Sequence, residues 1–269
     1  MLAVIMLSCF LCQCKSNKVD DGEEVDDREA VEDIEISDDL IITEGSCFPD
    51  VVDKYVYPIT PRSEGRETMT LEEQWKACQL PDDVLKSISS LGLIRSLYDM
   101  PRSISLLYIG SSNPSGFSQA RALPVRFNSV QELLTREDAA SSLMTFYAAT
   151  KLDCIESWST YSSKVDCQLA TLEYLFSFSE ILDQLSREDK KKVVKKFLAN
   201  YEIFFQVRGS WPPCVRLMAA MIWVMYDDML PYFDEKILTL AKWSHAGINI
   251  EVVDSIDDII AFAKKFILK

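Results

Sequence analysis

Residues 186–205, SREDKKKVVKKFLANYEIFF, decide the fold class. Val193, Val194, Phe197, Leu198, Tyr201, Phe204 and Phe205 recur at three- and four-residue spacing, which gathers them on one face of an α-helix. Lys190, Lys191, Lys192, Lys195 and Lys196 fall on the other side, expected to be a solvated face. Ser186 followed by Asp189 supplies the N-cap. Just downstream, Pro212 and Pro213 open a second long helix. Its stretch 215–226, VRLMAAMIWVMY, is apolar nearly all round, the mark of a helix buried on every side. That stretch is shorter than the roughly 20 residues a membrane span requires. Just upstream, residues 166–185 place Leu169, Leu172, Phe176 and Leu182 near a 3.6-residue period and predict one continuous helix.

Shorter helices extend the pattern toward the N-terminus. Thr70 with Glu73 forms a capping box for a helix reaching about Leu80. Pro81 restarts the chain in a first helical turn, with Asp82 and Asp83 favourable against the helix dipole and Val84, Leu85 and Ile88 inward. Ser90 is the expected cap of the next helix, which ends before Pro101. Another carries Ile104, Leu107 and Tyr108, and residues 111–116 (SSNPSG) form a loop. Ser129 with Glu132 reads as a second capping box, ahead of a helix over 137–151. Residues 152–165 are a polar, aromatic connection. Toward the C-terminus, residues 248–253 (INIEVV) alternate and are β-branched, which suits one short strand. Ser255 and Asp258 then cap a last helix with Ile256, Ile259, Ile260, Ala263 and Phe266 inward. One strand makes no sheet, so the expected class is all-α: an irregular bundle of about nine to eleven helices over residues 70–269.

The first 69 residues divide into three parts. Residues 1–14, MLAVIMLSCFLCQC, carry no charge. Residues 15–39 hold twelve acids against Lys15, Lys18 and Arg28, so −9 of the net −14 sits in this segment. Its few aromatics leave it unable to fold alone, and it reads as a disordered acidic tether. Residues 40–69 mix apolar patches with Pro and Gly and read as an irregular linker. Neither tether nor body has the basic surface that a phosphate backbone attracts, so nucleic acid is excluded as a partner.

An apolar run, a cysteine and then KSNKVDDGEE resemble a bacterial lipoprotein signal. Cys14, with Leu11 before it and the tether after it, is the expected lipidated residue. Cys9, preceded by Leu7 and Ser8, is the alternative. The acidic stretch from Lys15 to Asp27 resembles the surface-export signal of Bacteroidetes lipoproteins.

A second resemblance lies in the body. Residues 74–101, QWKACQLPDDVLKSISSLGLIRSLYDMP, resemble a segment of uncharacterised Bacteroidetes secreted proteins and lipoproteins, in which a "CQIPEDVL"-like turn leads to a "ST-x-GL" helix. Leu91 stands where that family usually has an acid. Residues 127–147, FNSVQELLTREDAASSLMTFY, are similar to its "FNG-x-x-EL-x-x-R-x-D" segment. The run from Leu172 through LMAAMIWVMYDDMLPYF, residues 172–233, looks like its closing helices. The resemblance spans about residues 70–233. It implies a helical fold and an outer-membrane envelope location, and it lends no catalytic residue.

Little in the chain points to catalysis. His245 is the only histidine, so a Ser-His-Asp or Cys-His device would have to use it, and its place in KWSHAG suits a helix end. Cys47, Cys78, Cys154, Cys167 and Cys214 lack metal-ligand spacing, and no phosphate-binding glycine loop is present. Cys154 and Cys167 flank the polar connection and could close a small disulfide loop in an oxidising envelope; the alternative is that both are buried free thiols. The pairs Asp227–Asp228 and Asp257–Asp258 suit helix ends. Trp158, Tyr161 and Trp211 are candidates to line a sugar or peptide groove. No metal or cofactor is expected. The sequence therefore predicts a non-enzymatic, lipid-anchored envelope protein binding a protein or envelope polymer. The alternative is a hydrolase of an extracellular polymer, which needs only two suitably placed acids.

Overall fold

The computed structural model describes residues 34, 36–60, 63–65, 68–97, 99–100, 126–152, 163–208, 212–233, 235, 237–238 and 256–268; side chains at 163–167, 170, 204–208, 212–216 and 219 are not described. The fold is all-α. Two short strands, β1 (Leu40–Ile41) and β2 (Asp50–Val51), precede helices α1 (Leu71–Ala77), α2 (Asp82–Ser87) and α3 (Ser90–Ser96). Then come α4 (Asn128–Leu134), α5 (Ala139–Ala148), α6 (Ser163–Leu175), α7 (Ser179–Leu182), α8 (Arg187–Arg208) and α9 (Pro212–Met229). A 3-10 turn (Leu230–Tyr232) and α10 (Ile256–Leu268) complete the described elements.

Helix α9 is central, packed by α6, α8 and α10. Leu217, Met218, Ala220, Met221, Ile222, Val224 and Met225 are all buried along it, as its uniform apolar character requires. On α8, Val193, Val194, Phe197 and Leu198 are buried, Tyr201 is half-buried and Ser186 accepts the Asp189 N–H at 3.1 Å, so the cap and the described part of the stripe stand as read; the side chains of Phe204 and Phe205 lie outside it. Its lysine face is less simple. Lys196 is only 8% exposed and its Nζ donates to the Thr150 carbonyl at 2.8 Å, so this lysine points inward rather than to solvent. The apolar stem lies along the core while the ammonium meets a helix-end carbonyl, a way for one lysine to belong to both environments.

Helix α5 joins the two halves. It packs on α3 on one side and on α6, α7 and α8 on the other. Between α5 and α8 sits a ring cluster: Tyr147, Phe176 and Phe197 meet edge to face at 5.3–5.7 Å. The Tyr147 hydroxyl donates to buried Glu173 at 3.4 Å and accepts from Asn200 Nδ2 at 2.7 Å, so the polar atoms inside the cluster are hydrogen-bonded.

Side chains from residues 79–90 and 128–138 form a clasp between α1–α3 and α4–α5. Asn128 pairs its side-chain amide with the backbone of Leu80, accepting at 3.0 Å and donating at 2.8 Å. Gln79 does the reciprocal, accepting from Asn128 N at 3.0 Å and donating to the Arg126 carbonyl at 2.7 Å. Arg136 donates to the Leu85 and Ile88 carbonyls at 2.8 and 2.6 Å, closing the C-terminus of α2. Asp138 accepts from the Ser90 hydroxyl at 2.6 Å. These side chains are spent on holding helix ends together.

Several caps differ from the sequence reading. Thr70 and Glu73 do form a capping box. Ser89, not Ser90, caps α3, accepting the Gly92 N–H at 2.9 Å; Ser90 has turned inward to Asp138. Ser129 caps nothing. Helix α4 starts at Asn128 with Phe127 at the N-cap, two residues earlier than a Ser129 cap would give, and Ser129 Oγ is buried without a hydrogen-bond partner, as is the Tyr57 hydroxyl. Pro81 stands at the N-cap of α2 rather than in its first turn. The expected strand over 248–253 and the helix carrying Ile104, Leu107 and Tyr108 lie outside the described residues.

The segment 40–69, expected to be an irregular linker, contributes the antiparallel β1–β2 pair and buries Leu40, Val51 and Tyr57 in the main core. Its acids fasten it to α3. Asp53 accepts from Ser89 N and Ser89 Oγ at 2.6 and 3.0 Å, and Asp50 pairs with Lys54 and Arg95. A Cβ on Gly92 would lie 2.5 Å from Asp53 Oδ1 and 2.7 Å from Ile88 Cγ1. Only glycine lets the Asp53 carboxylate approach the start of α3. Gly92→Ala is therefore expected to destabilise by about 1–3 kcal/mol despite alanine's higher helix propensity. Urea unfolding checks the sign.

Asp50 gives the segment a pH response. Burial alone would raise its carboxyl, but the Lys54 hydrogen bond, the Val51 N–H and the charges of Arg95 and Lys54 outweigh that and hold it below the ordinary value of 3.8. A depressed acid stabilises the fold above its unfolded pKa. That contribution is lost as pH falls from 3.8 through the lower folded value. Asp50→Asn is expected to flatten the acid limb of a stability–pH curve below pH 4 (about one carboxyl's ordinary range) and to cost stability at neutral pH.

Candidate functional site

The sequence predicts one helix over 166–185, and the chain breaks it. Helix α6 stops at Leu175, and α7 begins only at Ser179. At the break, the backbone N–H and the hydroxyl of Ser177 both donate to the Tyr174 carbonyl, at 2.8 and 2.7 Å. This local alternative competes with the helical ladder, which is why serine is weak in helix interiors. Phe178 adopts an extended conformation (φ −80°, ψ 133°) and packs edge-on against Tyr174 at 5.1 Å. Phe176 drops into the ring cluster on the other side.

The break makes one wall of an open cleft of about 450 Å³. Tyr174, Ser177, Phe178, Ser179, Glu180, Leu182 and Asp183 come from the α6–α7 side, and Trp223, Tyr226 and Asp227 from α9. The last three are spaced i, i+3, i+4 and so share one helix face. Trp223 and Tyr226 stack at 5.4 Å with 27° between their planes. Both walls are held from behind. Gln184, just past α7, accepts from Ala140 N at 3.1 Å and donates to the Arg136 carbonyl at 2.9 Å, fixing α7 to the start of α5.

The α9 wall is held to α8 by charge. Asp227 and Asp228 lie at the C-terminal end of α9, where acids oppose the helix dipole; Arg187 and Lys190 lie at the N-terminal end of α8, where cations do. The two mismatches offset each other by pairing across the helices, Arg187 with Asp228 at 3.4 Å and Lys190 with Asp227 at 3.7 Å. Asp257 and Asp258 sit in the first turn of α10, on the favourable side of the dipole.

The cleft thus has an aromatic lining and an acidic rim. Glu180, Asp183 and Asp227 are exposed. Among the described residues no ion pair engages Glu180 or Asp183, and no three His, Cys, Asp or Glu side chains converge as a metal site. Rim carboxylates of this kind suit recognition of positive charge.

Of the residues weighed for chemistry in the sequence, Asp227, read there as a helix-end acid, lines this cleft. Cys9, Cys14, Cys154, Trp158, Tyr161, Trp211 and His245 lie outside the described residues, and Cys167 is placed on α6 without its side chain. The Cys154–Cys167 pairing therefore lies outside what is described. Cys47, for which the sequence suggested no partner, is disulfide-bonded, and Cys78 is a fully buried thiol. The legible signals for the cleft were Ser177 and Ser179 flanking Phe178, and Trp223, Tyr226 and Asp227 on one face of an otherwise aliphatic helix. No described helix is long and apolar enough to cross a membrane. Comparison with protein-family models, with curated proteins and with solved structures returns no match.

Proposed function

We propose that this chain is an exported, lipid-anchored protein of the bacterial envelope, non-enzymatic, whose helical body holds a protein or envelope polymer in the cleft between α7 and α9. The observation that carries the reading is the composition of that cleft: aromatic rings within, exposed carboxylates at its rim, and no buried acid among its lining residues. The anchor reading rests on residues 1–14 and the tether, with Cys14 or Cys9 lipidated, and on the resemblance to Bacteroidetes lipoproteins of the outer membrane. The disulfide at Cys47 supports export, since such bonds persist in oxidising compartments.

The test uses the full-length protein as bait on native envelope, beside a variant carrying Glu180→Lys and Asp183→Lys. Both positions are exposed, so the variant is expected to fold as the parent does. The expected result is a defined partner retained by the parent and lost by the variant. Equal capture by both would remove the cleft from the function. A second reading, a polymer hydrolase, draws on Glu180, Asp183 and Asp227 lining one groove, as a two-carboxylate mechanism requires. Release of soluble fragments from envelope polymer, abolished by Glu180→Gln or Asp227→Asn, would favour it over binding alone.

A further inference from the structure

We infer that the occupant of the cleft is a cationic side chain, arginine best, presented by a peptide segment of the partner. The inference rests on the binding role proposed for this cleft and adds its chemistry. A volume of about 450 Å³ lies in the range of small-ligand pockets, enough for one or two side chains and too small for a domain surface. Three carboxylates, Glu180, Asp183 and Asp227, edge it and favour a positive guest over a negative one. The Trp223–Tyr226 stack lines the same cleft. An indole and a phenol next to acids form the setting in which a guanidinium gains both from the ring faces and from planar hydrogen bonding to carboxylate.

The molecule itself uses both halves of this recognition. The Arg126 guanidinium lies 5.1 Å from the Trp75 ring centroid, and Lys265 Nζ lies 4.2 Å from that of Tyr232. At the rim, Lys190 Nζ stands 3.7 Å from Asp227, which leaves that carboxylate 82% exposed. A loose internal cation therefore already occupies one edge of the site, where an arriving guanidinium with two donors aligned to the carboxylate is the stronger partner.

Isothermal titration of the full chain with hexaarginine, hexalysine and hexacitrulline at about 0.15 M salt tests the inference. The acidic tether also attracts cations, so the reading is the difference between the parent and the variant Glu180→Gln/Asp183→Asn/Asp227→Asn. That variant keeps side-chain shape and leaves the tether unchanged. Hexaarginine is expected to bind the parent about tenfold more tightly than it binds the variant, hexalysine to bind more weakly, and hexacitrulline to show no difference. Equal affinity of hexaarginine for parent and variant, or equal binding of hexacitrulline and hexaarginine, overturns the inference. If the envelope capture still depends on Glu180 and Asp183 while hexaarginine is indifferent to the cleft, the binding role stands and the cationic occupant is wrong. If neither depends on the cleft, both fall.

Discussion

Replacing Phe197 by alanine is expected to lower the unfolding free energy by about 3–5 kcal/mol, the largest effect of any single change considered for this chain. Phe197 is fully buried on α8 and meets Tyr147 of α5 at 5.3 Å and Phe176, just beyond α6, at 5.7 Å. Three elements thus share one ring cluster, and removing the central ring opens a void that none of them can fill alone. The lost term has two parts, the transfer of the ring from water and the cavity left behind. The neighbouring Tyr147 hydroxyl adds to the cost if Tyr147 shifts into the void, because its bonds to Glu173 and Asn200 would break in a dry interior. Phe197→Leu is expected to cost roughly half as much or less. Urea denaturation measures both, with Leu268→Ala (72% exposed) as the control expected to stay within about 0.5 kcal/mol of the parent. A Phe197→Ala protein as stable as that control would mean that the cluster is not the core described here.

The second large effect concerns the disulfide at Cys47. Reduction, or Cys47→Ser, is expected to cost about 2–4 kcal/mol. The segment carrying Cys47 has only four strand residues; its other attachments include buried Leu40, Val51 and Tyr57, the Asp53–Ser89 bonds, the Asp50–Arg95 pair, the Tyr55 N–H donating to Ser96 Oγ at 2.7 Å, and the Lys151 N–H donating to the Cys47 carbonyl at 2.9 Å. A covalent link restricts the open states of such a segment more than any one of these contacts does. Thermal melts with and without reductant give the readout. The parent should lose stability on reduction, and Cys47→Ser should be the less stable protein and insensitive to reductant. Coincident melts for all of these would show that the bond does not hold the segment. Peptide mapping without reduction should recover Cys47 in a cross-linked pair.

The long elements were the readable part of this fold. In α8 and α9 many residues repeat one pattern, so periodicity alone fixes their type and their buried face. Short-range signals were less decisive because one residue can serve two masters. Ser89 and Ser90 are equally good caps by chemistry, and the choice falls on Ser89 because Asp53 and Asp138, both distant in sequence, bind the two serines in different ways. Ser129 matched a capping box, yet Asn128 was drawn to Leu80 and started the helix two residues early. The cleft was the least legible feature. It depends on a helix break at Ser177, which hydrophobic periodicity across 166–185 conceals, since Leu172, Phe176 and the α7 residue Ile181 are buried on both sides of it. Its other wall is three residues within a helix whose composition reads simply as core.

Lys196 gives the molecule a chemical clock. An amine-directed acylating reagent reaches a lysine only when its ammonium is deprotonated and accessible. Lys196 is not accessible while its Nζ is buried against the Thr150 carbonyl, whereas Lys192 on the same helix has a third of its side chain in water. Under brief labelling, acylation of Lys192 counts time, and acylation of Lys196 counts the occasions on which α8 lifts from α5. The ratio of the two marks, read by mass spectrometry within a single peptide family, reports the opening frequency of the core without denaturant, dye or substitution.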